Sequence, residues 1–232
     1  TYRSIGMLHR LAYQPLGKDV MATTPTDIAD LSTRQRILRE ASLLFATKGY
    51  HGTSTREIAA AVGIQQPSLF HHFESKDAIM TELIAFDLDE PVAVAERQAT
   101  ADGSPALRFY RYLVWDIAFL CRSPYNLSSI ETVRRDPAFT SAEHRFSRIA
   151  AARESMIAQA VAAGEFIDID PTFAQQAILW MITGTVTEVS GQPADRAETI
   201  ARQLAGFALR ALLTNPSQLE AIQAIASTDD QE

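Results

Sequence analysis

Residues 53–77, TSTREIAAAVGIQQPSLFHHFESKD, constrain this chain more than any other stretch. They predict two short helices joined by a tight turn at Gly63. Ser54 followed three residues later by Glu57 is the capping-box pattern, in which two side chains satisfy free amides at a helix start. Ile58, Ala59 and Val62 then fall on one helical face. Gly63 permits the left-handed backbone that ends a helix sharply. Ile64 packs inward, and a second helix begins near Gln65. Pro67 is tolerated in its first turn, where amides lack intrahelical acceptors. Leu69 and Phe73, four residues apart, face back toward the first helix.

Two short helices about a glycine turn, with amides and a hydroxyl at the start of the second, predict a helix-turn-helix. In that motif the start of the second helix meets base edges in the major groove. Gln65, Gln66 and Ser68 are the candidate readers, because a bidentate amide–adenine pair discriminates by about 1–3 kcal/mol. The alternative is that they are merely polar residues on an exposed helix start. Thr53, Thr55, Arg56, His71, His72 and Lys76 surround the second helix and are candidates for phosphate contacts, which set register rather than sequence.

Upstream, Thr33 to Lys48 carries Ile37, Leu38, Ala41, Leu44 and Phe45 as the stripe of a helix buried on one side. Lys48 and Gly49 close it, followed by Tyr50. The motifs Lys48-Gly49-Tyr50, Thr53 to Ala59, Val62-Gly63-Ile64, Ser68 to Phe73 and Ser75-Lys76-Asp77 occur in an order and spacing that resemble the DNA-binding domain of TetR-family transcriptional regulators. The resemblance covers about 50 of the 232 residues. It implies a homodimer on a pseudo-palindromic, double-stranded operator. Two departures matter. Phe70 stands where the family often has tyrosine and lacks the hydroxyl for a phosphate. Pro67 stands where the family often has a glycine or other small residue and offers no amide donor; both remain candidate DNA-facing positions.

Charge is distributed as this reading requires. The net charge is −7, but residues 32–80 carry +2 and residues 81–232 carry −9. An excess of +2 on its own is compatible with chance; its coincidence with the reading helix gives it meaning. Cys121 is the single cysteine, so no intramolecular disulfide forms, which favours a reducing compartment, the cytoplasm. No apolar run approaches membrane-spanning length, and the N-terminus shows no signal-peptide pattern.

The remaining chain predicts helices and no strands. Residues 1–31 read as a tail, interrupted by Pro15, Gly17 and Pro25, with Met7 and Met21 as candidate starts. Its sparse Arg3, Arg10 and Lys18 give little support to a basic arm on DNA. A long helix follows Ser75, running to about residue 98 with a kink or break at Pro91. Ser104-Pro105 opens a helix apolar nearly all round and therefore central. A short element is expected over Leu127 to Val133, then helices over about 138–163, from Pro171 to before Gly191, and from about Pro193 to Leu212. Residues 216–232 read as a tail that adds a turn or two and then frays. The predicted division is 1–31 tail, 32–77 helix-turn-helix domain, 78–215 helical effector-binding and dimerisation domain, and 216–232 tail. The fold class is all-α.

Tyr110, Trp115, Phe119, Tyr125, Met156, Trp180 and Met181 form an aromatic and sulfur-rich set in the C-terminal helices. Residue by residue, such side chains are more often core. Apolar pockets with a few polar groups have the same composition, and Arg111, Asp116, Asn126, Thr183 and Thr187 are candidates for those groups. Resemblance to the family implies a small apolar effector there. It also implies dimerisation through the helices near 171–190 and 195–213, with Gly184, Ala205, Gly206 and Ala208 allowing close approach; the alternative is that both stripes face the protein's own core. His71-His72 diverge by about 100° on a helix and have no ligand at i+4, so neither a metal nor a cofactor is expected. No nucleophile, acid or base converges, so the chain reads as a regulator, most often a repressor in this family, rather than an enzyme. A ligand-independent regulator or activator is the alternative, and a helical enzyme the more distant one.

Overall fold

The computed structural model describes residues 31–123, 125, 130, 133, 136–189 and 193–229. Its helices are α1 Thr33–Lys48, α2 Thr55–Val62, α3 Gln66–Phe70, α4 Lys76–Thr100, α5 Pro105–Arg122, α6 Thr140–Ala162, α7 Pro171–Val189, α8 Ala194–Leu212 and α9 Leu219–Asp229. Short 3-10 turns at Pro137–Phe139 and Pro216–Gln218 lead into α6 and α9. Among the described residues there is no strand, only one isolated bridge between Phe166 and Leu213. The fold is all-α: a three-helix head, then a helical domain.

Local chemistry sets the helix starts. Ser32 with Gln35 and Ser54 with Glu57 are complete capping boxes on α1 and α2. Ser75 accepts from the Ala78 amide at 3.0 Å and Ser104 from the Leu107 amide at 3.3 Å, capping α4 and α5. Gly63 ends α2 with φ +78° and ψ 31°, the left-handed conformation that the turn into α3 demands. α4 does not break at Pro91. It continues to Thr100 with Pro91 buried, although the proline leaves the Asp87 carbonyl without its helical donor.

Two apolar clusters result. One joins α1, α2 and α3 to α4 as far as Val92, and also takes in Tyr125, Ile130, Val133, Phe139, Ala142 and Ile149. The head's core therefore extends well past residue 77 and into the first half of α6. The second is built around α5, which packs against α4, α6, α7, α8 and α9. This is the central helix expected from its all-round apolarity.

Three placements differ from expectation. The stretch 216–232 contains α9, whose Leu219 and Ala226 are buried against the rest of the domain. The small residues Ala205, Gly206 and Ala208 of α8 are buried in this chain's own fold. A Cβ at Gly206 would lie 2.9 Å from Gln223 Nε2, so its smallness admits α9 rather than a partner. Gly184 alone of that set is exposed. The tail 1–30, most of the element expected over 127–133, and Asn126 lie outside the described residues.

Candidate nucleic-acid interface

The reading head is a short α3 braced from three sides. Leu69 has no exposure and fixes α3 onto the head's core, with Phe73 buried beside it. Arg36 Nη2 donates to the Val62 carbonyl at the end of α2. Arg34 bonds Glu82 of α4 through Nε and Nη2, donates to the His72 carbonyl, and lies 4.1 Å from the Phe73 ring centroid. Lys48 Nζ and Glu57 Oε1, 2.7 Å apart, join the end of α1 to the start of α2. The Lys48 ammonium and the Ser54 amide hold the Glu57 carboxyl below the usual carboxylate range.

This bracing divides the predicted contact residues into two groups. Arg56, Gln65, Pro67, Phe70 and His71 are exposed on the outer face. Phe70 is 45% exposed, an uncommon position for a phenyl ring in a head with its own core. Ser68 and His72 are half-buried. Gln65 caps nothing with its side chain. Gln66, by contrast, donates from Nε2 to Thr55 Oγ1 at 2.9 Å, so these two predicted contacts are spent partly on each other across the turn. Thr53 is buried and its hydroxyl donates to the Gly49 carbonyl at 2.9 Å, which makes it a loop staple rather than a phosphate donor. The Lys76 ammonium donates to the Tyr50 and Thr53 carbonyls at 2.7 and 2.8 Å. Helical spacing alone could not show that Thr53 and Lys76 are engaged inward, because their partners lie in an irregular loop.

The second predicted site is less coherent. Tyr110 and Met156 are buried in the main core, with half-buried Trp115 and Met181 packed against it. Trp115 and Phe119 stack with centroids 5.2 Å apart, and Arg111 is half-buried. Tyr125 is buried in the other cluster, edge-on to Phe86. Trp180, 72% exposed, and Thr183 lie on the outer side of α7, away from the buried Ala174, Ile178, Ile182 and Val186. They are surface residues in this fold. The Thr187 side chain lies outside the described residues. A cleft of about 390 Å³ between α4 and α6 is lined by Asp89, Val92, Ala93, Glu96, His144, Arg145 and Arg148, and by none of the predicted set.

The domain also contains buried polar groups, of which the sequence singles out Asp116 alone. Arg153 Nε donates to the Tyr112 hydroxyl at 3.0 Å, and its Nη2 lies 3.7 Å from Asp116 Oδ2. Burial raises the Asp116 carboxyl above its ordinary value, against the pull of Arg153. Asp87, buried beside Ser123, is raised by burial to about 7. A charged residue within an apolar helical stripe is the sequence signal for both. Among the described residues, no three His, Cys, Asp or Glu side chains converge as a metal site, and no helix is long and apolar enough to cross a membrane.

With this geometry in view, the similarities to known proteins are specific to the head and broad over the whole fold. The family of bacterial regulatory proteins of the tetR type matches residues 37–83. The transcriptional repressor KstR2 of Rhodococcus jostii is 42% identical over 57 residues, which is 25% of this chain and 28% of that protein. The chain thus matches under a third of that relative's length, all of it in one segment. Over the fold, the crystal structure of AmtR from Mycobacterium smegmatis superposes with a TM-score of 0.63 at 26% identity, covering 84% of this chain and 93% of that one. The structure of AibR in complex with isovaleryl coenzyme A and operator DNA has the same fold, with a TM-score of 0.56 at 20% identity over 76% of this chain and 97% of that one. Head, helical domain and family match agree: residues 37–83 form a head of the tetR family's type, and the whole chain has the helical fold of TetR-family regulators.

Proposed function

We propose that this protein is a homodimeric, effector-responsive repressor that acts in the cytoplasm on a pseudo-palindromic operator. The observation that carries the reading is the outward face of α3. Leu69 anchors it, and Gln65, Pro67, Phe70 and His71 are presented together beside Arg56. An amide, two apolar surfaces and an imidazole along one short helix, with the exposed guanidinium of Arg56 on α2, suit base edges, thymine methyls and flanking phosphates.

The dimer is supported by exposed aromatics on α7 and α8. Phe173 and Trp180 on α7 are 65% and 72% exposed, and Phe207 on α8 is 67% exposed. Each aromatic side chain buries about 150–250 Å² when covered, so leaving three in water is costly unless a second copy meets them. Effector response is supported by the buried polar set of α5 and α6, a small number of polar groups within an apolar helical layer. An effector releases DNA only if it binds the non-DNA state more tightly. AibR, whose fold this chain shares, is seen with both an acyl-CoA and its operator.

Selection of genomic fragments by the full-length protein at near-physiological salt tests the reading, since affinity depends steeply on salt. One enriched palindrome is the expected result; no enrichment at any salt overturns it. On the recovered duplex, Gln65→Ala relaxes the choice at one base position per half-site, at a cost of about 1–3 kcal/mol. Gln66→Ala weakens every sequence alike, because its amide braces α3 against Thr55.

A further inference from the structure

α5 carries a buried polar stripe through its apolar body. Arg108, Tyr112, Asp116 and Ser123 are all buried, and their spacings of four, four and seven residues put them along one helical face. At one end the protein supplies the partners. Arg108 donates to the Gln98 and Ala99 carbonyls near the end of α4, at 3.0 Å each, and to Gln159 Oε1 at 2.7 Å. In the middle, Asp116 faces the Arg153 guanidinium. The far end differs. There Ser123 Oγ lies 3.3 Å from Oδ1 of Asp87 in α4. Asp87 is buried, and among the described residues no cation pairs with it.

Donors are short at this end. Ser123 has one O–H, within reach of Asp87 Oδ1 and, at 3.4 Å, of the Tyr125 carbonyl. Asp87 Oδ2 has no hydrogen-bond partner. The Asp87 main-chain carbonyl lacks its helical donor because residue 91 is proline. These acceptor oxygens therefore share a single hydroxyl. Burial lifts the Asp87 carboxyl to about 7, and a protonated carboxyl adds only one donor more. The charge is also of one sign. Ser123 is the C-cap of α5, the negative end of that helix's dipole, and the neighbouring Arg122 is exposed. Burial, then the Asp87 and Glu82 carboxylates, holds the Tyr125 phenol above its ordinary value, so it stays neutral. Glu82 itself is paired with Arg34.

We propose that Asp87, Ser123 and the carbonyls of Asp87 and Tyr125 form a binding site for a small ligand through its primary ammonium group. An ammonium brings three N–H donors and one positive charge, the two things this place lacks. A carboxylate ligand would add acceptors to acceptors. An apolar one would leave the oxygens unpaired, at the cost such burial carries. The ligand class thus differs from the small apolar effector that the family resemblance implies. The site stands two helical turns along α5 from Asp116. The proposal rests on the effector-response reading only for the consequence that such a ligand changes DNA affinity; binding itself does not depend on that reading.

Calorimetric titration and thermal unfolding of the full-length protein with n-butylammonium chloride test this. Potassium chloride at equal concentration controls for charge without N–H donors, and n-butanol for the chain without charge. The expected Kd is about 1 mM. The unfolding midpoint should rise by about 3 °C at about ten times that concentration, with neither control matching it. At about pH 6 binding should release nearly one proton, read from the dependence of the heat on the buffer, and at about pH 8 almost none. Asp87→Asn should abolish the binding. No binding of butylammonium, an equal response to either control, no proton release at the lower pH, or binding retained in Asp87→Asn overturns the proposal. Should Asp87→Asn fail to fold, Pro91→Ala returns an N–H to the Asp87 carbonyl and keeps the carboxyl. Binding weaker by about ten-fold is then expected, and unchanged binding overturns the site. The titration uses no DNA, so a wild type that selects no duplex counts against the DNA-binding reading alone.

Discussion

The head and the helical domain treat buried polarity in opposite ways. In the head, buried hydroxyls are satisfied locally: Ser42 donates to the Arg39 carbonyl and Thr53 to that of Gly49. Charged side chains there cap helix ends or bridge them at the surface. In the helical domain and the helix leading into it, Asp87, Arg108, Asp116 and Gln175 each bury an oxygen or nitrogen with no hydrogen-bond partner among the described residues. A buried unpaired polar atom costs about 1–3 kcal/mol. The difference teaches which part is built for one shape and which part carries the cost of a second. A rigid head suits a fixed groove geometry. A domain with strained polarity in its core has something to gain from a ligand or a rearrangement.

The sharpest way to break this contrast is to remove Arg153. In Arg153→Met the Asp116 carboxylate keeps its burial and loses its cation, and the Tyr112 hydroxyl loses its donor. Breaking a buried pair from one side costs about 3–5 kcal/mol, whereas replacing both partners with apolar residues is often neutral. Denaturant unfolding should therefore show a large loss for Arg153→Met and recovery in Asp116→Leu/Arg153→Met. Equal losses in both would mean that the pair stabilises the domain outright.

Asp87 gives the next largest effect, and its sign is opposite to that of a paired carboxylate. Burial lifts its folded value from the ordinary 3.8 to about 7. Below about pH 4 it is protonated in both folded and unfolded chains, and stability is then at its fullest. Between about pH 4 and 7 the unfolded chain ionises while the folded one keeps its proton, so stability falls by about 1.4 kcal/mol per pH unit. Asp87→Asn should flatten that decline when stability is compared between pH 4.5 and 7.5. The difference between the two proteins isolates this residue from the surface carboxyls Glu57, Glu96 and Asp136, whose values are shifted downward. A wild type whose difference from Asp87→Asn is constant over this range would show that water reaches the carboxylate.

Legibility in the sequence followed the same division. The boundaries of the head were readable because they depend on neighbours three or four residues apart: Ser54 with Glu57, Gly63 as stop, Ser75 as cap. α5 was readable as central because it is apolar on every side. The facing of α7 was not. Ile178, Leu179, Trp180, Met181 and Ile182 form an unbroken apolar run that has no phase, so the sequence does not show that Trp180 faces outward. The full length of α9 is not legible, because Leu219, Ile222 and Ala226 are too few to mark a buried face without α5 and α8 beside them. Contacts between distant residues, such as His51 with Asp136, leave no trace in spacing. The inward engagement of Lys76 follows from two loop carbonyls, of Tyr50 and Thr53, that no periodicity describes.

The smallest prediction tests the rigid side of the comparison. In Ser54→Ala, the hydroxyl that accepts from the Glu57 amide at 3.2 Å is lost, while Glu57 Oε2 still accepts from the residue 54 amide, 2.9 Å away in the wild type. Half of the capping box survives, so the cost should be about 1 kcal/mol rather than the upper end of the range for such caps. Glu57 also remains paired with Lys48 at the end of α1. If the head is a single rigid piece, this loss appears as a lower unfolding midpoint with operator affinity nearly unchanged, because α3 is held by Leu69 and, at the His72 carbonyl just beyond it, by Arg34, and not by the cap. If instead affinity falls more than stability does, the start of α2 is itself a moving part.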